Sequence, residues 1–244
     1  LEFRRVLFRS RTPNPCVECN RKVKFGALHR LARAWSAERV VTGHYARIVD
    51  RDGIRSLECG VDAAKDQTYF LYSLTPDLLA ETEFPLGGLT KSEVRERARG
   101  LGLKTADKPE SQEICFIPNR DYRAFVRGRV GDSEPALTPG PIKDGSGREI
   151  GRHEGLVGYT IGQRKGLGLQ GPEPFYVTGM DAETNTLVVG RSAQTQFKKL
   201  RVGGLSWTRP TPPEPGPAGV RVRHRAPRVP ARLGPVVEIG RAHV

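Results

Sequence analysis

Residues 24–49, KFGALHRLARAWSAERVVTGHYARIV, set the fold class of this chain. Leu28, Leu31, Ala32 and Trp35 recur at i, i+3, i+4 and i+7, the spacing of a helix with one buried face, so a helix is expected over residues 24–38. Arg39 to Val49 then reads as a strand, apolar at Val40 and Val41, with Thr42-Gly43-His44-Tyr45 at its end. Helix followed by strand is the order of an α/β sheet. Ligands of such sheets sit beyond the carboxyl ends of strands, which is where Gly43 and His44 fall.

Working outward, a second helix is expected from Thr75-Pro76, a cap followed by proline at the first helical position. A third begins at Thr90, where Thr90 and Glu93 have capping-box spacing, and ends near Gly100 or Gly102. Beyond about residue 119 glycine and proline become frequent, and Phe175–Gly179 and Thr186–Gly190 read as the two strands of a hairpin. From Arg201 onward there are eight arginines against two glutamates, and Val220, Val222, Val229 and Leu233 alternate with charge, as short strands with a basic face would. Residues 1–10 and 238–244 resemble translated adaptor and are set aside as non-native ends.

The 244 residues are 37% hydrophobic, enough for one large or two modest cores. No run approaches the roughly 20 apolar residues that cross a bilayer, and the basic start lacks the apolar core of a signal peptide, so the expected setting is the cytoplasm, with no membrane partner. A monomer is expected. Lys and Arg outnumber Asp and Glu by 40 to 27, a formal charge of +13, as in a chain that meets a polyanion. Four cysteines without an export signal point to thiol chemistry or metal binding more than to a disulfide framework.

Cys16-Val17-Glu18-Cys19 is a C-x-x-C motif followed by Asn20, read as a helix N-cap, and by Arg21, Lys22 and Lys24. A thiol at a helix N-terminus among cations has its thiolate favoured, which makes Cys19 a candidate nucleophile; half of a zinc site is the competing reading. Cys115 lies between Ile114 and Phe116, the setting of a buried apolar thiol, and Cys59 reads as structural. Gly166-x-Gly168-x-x-Gly171 has the letters of a dinucleotide fingerprint, but Pro172 and Pro174 stand where its helix should open. Gly162-Gln163-Arg164-Lys165-Gly166 is a basic loop suited to a phosphate backbone, or an ordinary exposed turn.

Six motifs in order carry a family resemblance: Thr12-Pro13-Asn14-Pro15-Cys16-x-x-Cys19-Asn20-x-x-x-Lys24-Phe25; Thr42-Gly43-His44-Tyr45-Ala46-Arg47; Lys65-Asp66-Gln67-x-Tyr69-Phe70-Leu71; Phe84-Pro85-Leu86-Gly87; Ser111-Gln112-x-Ile114-Cys115-Phe116-Ile117; and Tyr159-Thr160-Ile161 running into Gly162–Gly168. Together they resemble the tRNA-specific 2-thiouridylase family over about residues 11–235. The resemblance implies the rear of an α/β catalytic domain with a parallel sheet, of the pyrophosphatase-loop, adenine nucleotide alpha hydrolase-like type, over residues 11–118. A small β-rich central domain over 119–198 and a truncated C-terminal β-barrel over 199–237 would follow.

Members of that family use ATP, with Mg2+, to adenylate the C2 oxygen of the wobble uridine of tRNA, and a persulfide from a sulfur-donor protein then supplies sulfur. By motif position, Cys19 is the nucleophile and Cys115 carries the persulfide, the pair passing through a transient disulfide once their thiols meet over the target uridine. Asn14, Pro15 and Cys16 line the target base and Gly43 touches ATP. His44, Lys65, Asp66 and Gln67 contact tRNA, as do Arg164 and Lys165 and the pair Arg223 and His224 in the barrel. The family's Ser-Gly-Gly-x-Asp-Ser loop does not occur in the 244 residues, so the chain is expected to lack the front of its catalytic domain and to be inactive alone. Cys16 stands where many members have Asp, which opens a variant in which Cys16, Cys19 and Cys115 ligate a [4Fe-4S] cluster. A non-catalytic RNA-binding role is the alternative from a different class.

Overall fold

The structure is a computed structural model that describes residues 14–109, 115, 117, 121–131, 134–196, 199–200, 202–209, 211–224 and 226–235. The expectations for residues 1–10 and 238–244, and the motif residues Thr12, Pro13, Ser111–Ile114 and Phe116, lie outside the described residues. Two compact units form, one from the described residues within 16–110 and 203–244, the other from those within 1–15 and 111–202.

From Cys16 on, the first unit is built on an unbroken helical run: α1 (Pro15–Cys19), a π-helical stretch (Asn20–Ala27) and α2 (Leu28–Ala34). Pro15 takes the first helical position, where its missing N–H costs nothing. The helix thus starts nine residues before the expected Lys24, and Asn20 is not its cap. Asn20 is buried inside the run and donates through Nδ2 to the Phe70 carbonyl at 3.0 Å.

The buried face also differs from the expectation. Leu28, Leu31 and Trp35 are 41%, 42% and 74% exposed, whereas Phe25, His29 and Ala32 point inward. Both sets have helical spacing, so periodicity alone admits either. His29 is admitted to the interior because both ring nitrogens find partners, Glu81 Oε2 at 3.1 Å and Thr82 Oγ1 at 3.0 Å, which removes the usual cost of burying a polar ring.

Strand β1 (Val40–Val41) follows and pairs in parallel with β4 (Thr82–Glu83), in the register Val40 to Thr82. The expected strand over 39–49 is therefore two elements. After Thr42–Tyr45 the chain enters β2 (Ala46–Arg51), which pairs antiparallel with β3 (Ile54–Cys59). The hairpin turns at Asp52 and Gly53, both at positive φ (54° and 78°), the pairing a two-residue hairpin loop demands. That Asp-Gly signal stood in the sequence and was missed.

Helix α3 (Pro76–Ala80) is capped by Thr75, and α4 (Lys91–Gly100) by the Thr90 and Glu93 box, both where expected. Phe25, Ala46, Leu71, Leu74, Leu79 and Phe84 form the apolar core. Each such fully buried large side chain contributes roughly 1.5–3 kcal/mol. Gly87 packs so tightly on β2 that a Cβ there would lie 1.7 Å from the Ala46 carbonyl oxygen. In the rear segment, β9 (Gly216–Val220) and β10 (Val229–Leu233) pair antiparallel within this same unit.

The second unit carries α5 (Tyr122–Val130), capped by Asp121, and a four-stranded sheet in the order β6 (Glu149–His153), β5 (Gly140–Lys143), β8 (Thr186–Gly190), β7 (Tyr176–Asp181). β5 and β8 are parallel and the outer pairs antiparallel, the expected hairpin among them. Ile142, Leu156, Tyr159, Leu167, Val177, Leu187 and Val189 make its core. Val126 of α5 joins Leu137 and Val157 in a separate cluster. The next element after Gly171 is the strand β7, not a helix, as Pro172 and Pro174 led one to expect.

Candidate functional site

The site is built at the carboxyl end of β1. Thr42 continues the parallel pairing by donating its amide to the Glu83 carbonyl, and Gly43 and His44 follow. Gly43 is exposed, and a methyl group there would meet only Leu86 Cδ1, at 3.5 Å. His44 turns inward, 6% exposed, against the rings of Phe25 and Phe84.

The hydrogen bonds of His44 set its tautomer. Lys24 Nζ, which can only donate, lies 3.4 Å from Nε2, so Nε2 accepts and the proton sits on Nδ1, which donates to Thr42 Oγ1 at 2.7 Å. Burial, and next the Lys24 charge, push this imidazole from its ordinary 6.5 down to about 4. His44 is therefore neutral near pH 7. The contact between Lys24 and His44 ties the helical run bearing Cys16 and Cys19 to the loop bearing Gly43.

Cys16 and Cys19 lie one helical turn apart in α1, both half-buried, with Asn14 and Pro15 preceding them. Cys19 sits at the end of α1 with the helix running on, so the expected place just ahead of a helix N-terminus is corrected. Cys115 is exposed and belongs to the second unit. All four cysteines are free thiols.

The Lys65–Gln67 turn is clamped to Tyr45 by two bonds: Gln67 N donates to the Tyr45 carbonyl at 3.0 Å, and Tyr45 N donates to Gln67 Oε1 at 2.9 Å. Asp66 is buried, and it accepts from Gly60 N, Thr68 N and Thr68 Oγ1 and from Arg221 Nη1 at 2.8 Å. Burial alone would raise its pKa, but these donors, Arg221 foremost, hold it below the usual carboxylate value. Lys65 is half-buried. Of the rear pair, His224 lies on Phe70, ring centroids 4.5 Å apart, with Tyr69 beside it at 5.9 Å, and Arg223 is exposed. Arg221, two residues earlier, is the partner that sequence reasoning missed; it was one arginine among eight.

In the second unit Arg164 and Lys165 are exposed at the tip of a braced loop. Gly162 N donates to the Val177 carbonyl, Val177 N donates to the Gln163 carbonyl, and the Gln163 side chain binds Thr160 N and the Lys165 carbonyl.

Cys16 and Cys19 share one helix, and among the described residues no three His, Cys, Asp or Glu side chains gather as a metal would need. Nor, among the described residues, is any helix long and apolar enough to cross a membrane.

Two family models match the chain: a tRNA methyl transferase HUP domain over residues 2–119 and a tRNA methyl transferase PRC-barrel domain over residues 124–191. The chain is 46% identical over 229 residues to a tRNA-specific 2-thiouridylase of Geotalea uraniireducens, covering 93% of this chain and 60% of that protein. It is 48% identical over 233 residues to one of Chloroflexus aurantiacus (95% and 64%) and 47% identical over 216 residues to one of Chlorobaculum tepidum (88% and 59%). The chain thus spans about 60% of the length of the curated relatives it matches. With its parallel β1–β4 pair in the HUP segment and its four-stranded sheet in the PRC-barrel segment, it belongs to the tRNA-specific 2-thiouridylase family.

Proposed function

We propose that the protein takes part in ATP-dependent transfer of sulfur to C2 of the wobble uridine in tRNA anticodons. The observation that carries this reading is the bond between Lys24 and His44, which holds the C-x-x-C helix against the loop at the carboxyl end of β1. One place thereby offers thiols beside a strand end of the kind that binds nucleotides. The family models are described by methyl transfer and the relatives by thiouridine formation; Cys19 and Cys115 favour sulfur.

ATP is a substrate here, with Mg2+, and Gly43 fits its approach because no side chain projects from that turn. ATP supplies the leaving group by converting the C2 oxygen of uridine to an adenylate. Asn14, Pro15 and Cys16 line the target base. Cys115 receives a sulfur atom as a persulfide from a donor protein. The Cys19 thiolate attacks the Cys115 sulfur, forming the Cys19–Cys115 disulfide and releasing hydrosulfide, which displaces AMP at C2. An external dithiol then returns two electrons to the disulfide.

On the RNA side, the Lys65–Gln67 turn, Arg164 and Lys165, and Arg223 and His224 form the tRNA contacts, with the buried His44 holding the neighbouring loop in place. Asp66 acts by holding its turn in place. The protein works as a monomer in the cytoplasm, on a polyanion that its +13 charge attracts.

The test is mass-spectrometric detection of 2-thiouridine after incubation with tRNA, ATP, a persulfide donor and dithiol, using the protein joined to a front segment that carries the family's Ser-Gly-Gly-x-Asp-Ser loop. Cys19→Ala and Cys115→Ala should each abolish the product while leaving tRNA binding intact. Thiouridine made by either variant refutes its assigned role. Tight tRNA binding without turnover by the unaltered protein would favour a non-catalytic RNA-binding role.

A further inference from the structure

A cavity of about 470 Å3 lies in the first unit between the turn at Asp62–Lys65 and helix α4, lined by Asp62, Lys65, Lys91, Ser92, Arg95 and Arg99. Four cations thus face one carboxylate. That carboxylate is occupied with backbone: Asp62 Oδ2 accepts from Lys91 N at 3.0 Å and Oδ1 from Ala64 N at 3.1 Å, which ties the turn to the start of the helix. Asp62 therefore builds the wall of the cavity.

Lys91, Arg95 and Arg99 recur every four residues, so they lie along one side of α4, with the first and last about 12 Å apart along the axis. Arg99 is bound to Asp107 at 2.7 Å. Arg95 differs: its Nε is buried and has no hydrogen-bond partner. A buried guanidinium donor left open in a wall of cations is a group waiting for an anion. At the inner end the Lys91 ammonium lies over the Tyr45 ring, 5.5 Å from its centroid, and Tyr45 follows His44 directly.

We infer that this cavity binds the phosphodiester backbone of RNA, with Arg95 and Lys91 as its principal contacts. The inference rests on the RNA reading proposed above and deepens it, since neither residue belongs to the motifs that suggested RNA. A line of cations about 12 Å long exceeds what one free phosphate group engages and suits successive phosphates of a strand. Lys65, from the turn assigned to tRNA, lines the same cavity and makes it continuous with that surface.

The test is tRNA binding by fluorescence anisotropy across a salt series, for the unaltered protein and for Arg95→Gln, Lys91→Gln and Arg95→Lys. Each neutral variant should lower the slope of log K against log salt by about 1. A fourfold rise in salt then costs each of them about fourfold less affinity than it costs the unaltered protein. Arg95→Lys keeps the charge and should keep the slope. Slopes equal to that of the unaltered protein in both neutral variants overturn the inference while leaving tRNA binding itself standing. If instead inorganic phosphate raises the melting temperature of the unaltered protein and not of Arg95→Gln, with coincident tRNA slopes, the cavity takes a free anion and the RNA assignment is overturned. No tRNA binding by the unaltered protein at low salt overturns the RNA reading and this inference together. Circular dichroism confirms folding, and Lys91→Gln decides alone if Arg95→Gln does not fold.

Discussion

Acidification from pH 7 to pH 5 should destabilise the first unit through one residue, His44. Its folded pKa is about 4, against an ordinary 6.5, so the fold favours the neutral ring. For a group depressed in this way the stabilisation is complete above the unfolded value and is lost as pH falls through the interval between the two. Within that interval the unfolded state binds the extra proton, and stability falls by about 1.4 kcal/mol per pH unit. The whole interval corresponds to about 3.4 kcal/mol, and the part between 6.5 and 5 to about 2 kcal/mol. Urea unfolding followed by circular dichroism at pH 7 and pH 5 measures it, with His44→Gln as the reference, because the amide can meet Lys24 and Thr42 without titrating. The unaltered protein should lose about 2 kcal/mol more than His44→Gln over those two units. Lys24→Met should shrink the difference without abolishing it, since burial is the larger cause. Equal losses in the unaltered protein and His44→Gln would refute the reasoning, tautomer included.

Gly87→Ala would place a methyl group 1.7 Å from the Ala46 carbonyl oxygen, so the two backbones must part; a loss of more than about 3 kcal/mol, or no folded protein, is expected by thermal melting. Asp66→Asn should cost about 2 kcal/mol at pH 7, the worth of hydrogen bonds to a charged group. Because the folded pKa of Asp66 is lowered, that contribution is present above about pH 4 and lost as pH falls through the folded value. The two proteins should therefore converge once the pH lies below that folded value, and Arg221→Leu should remove most of the effect in a double-mutant cycle. Gly43→Ala meets only Leu86 at 3.5 Å, so the melting temperature should hold while ATP affinity, measured by calorimetry, falls at least about tenfold if the nucleotide approaches this turn; unchanged affinity would remove Gly43 from the ATP site.

How far the chain could be read in advance follows the range of the interactions involved. The Thr90 and Glu93 box, the Thr75 cap and the 176–190 hairpin are made by residues a few positions apart, and each was legible. The Asp52-Gly53 turn is equally local and was legible too, but it was absorbed into a single long strand. Asn20 has the chemistry of a cap, yet Pro15 had already started the helix, and the Asn20 amide went instead to a carbonyl fifty residues away.

The ordered motifs and the helix–strand alternation determined the family and the candidate thiols, because residue type and local spacing are sufficient for those. Only the tertiary structure decided which face of the 15–34 helical run is buried, where the proton of His44 sits, and that Asp66 holds Arg221 from 155 positions away. Burial and protonation belong to a side chain's neighbours in space, and those neighbours come from parts of the chain that no local pattern connects.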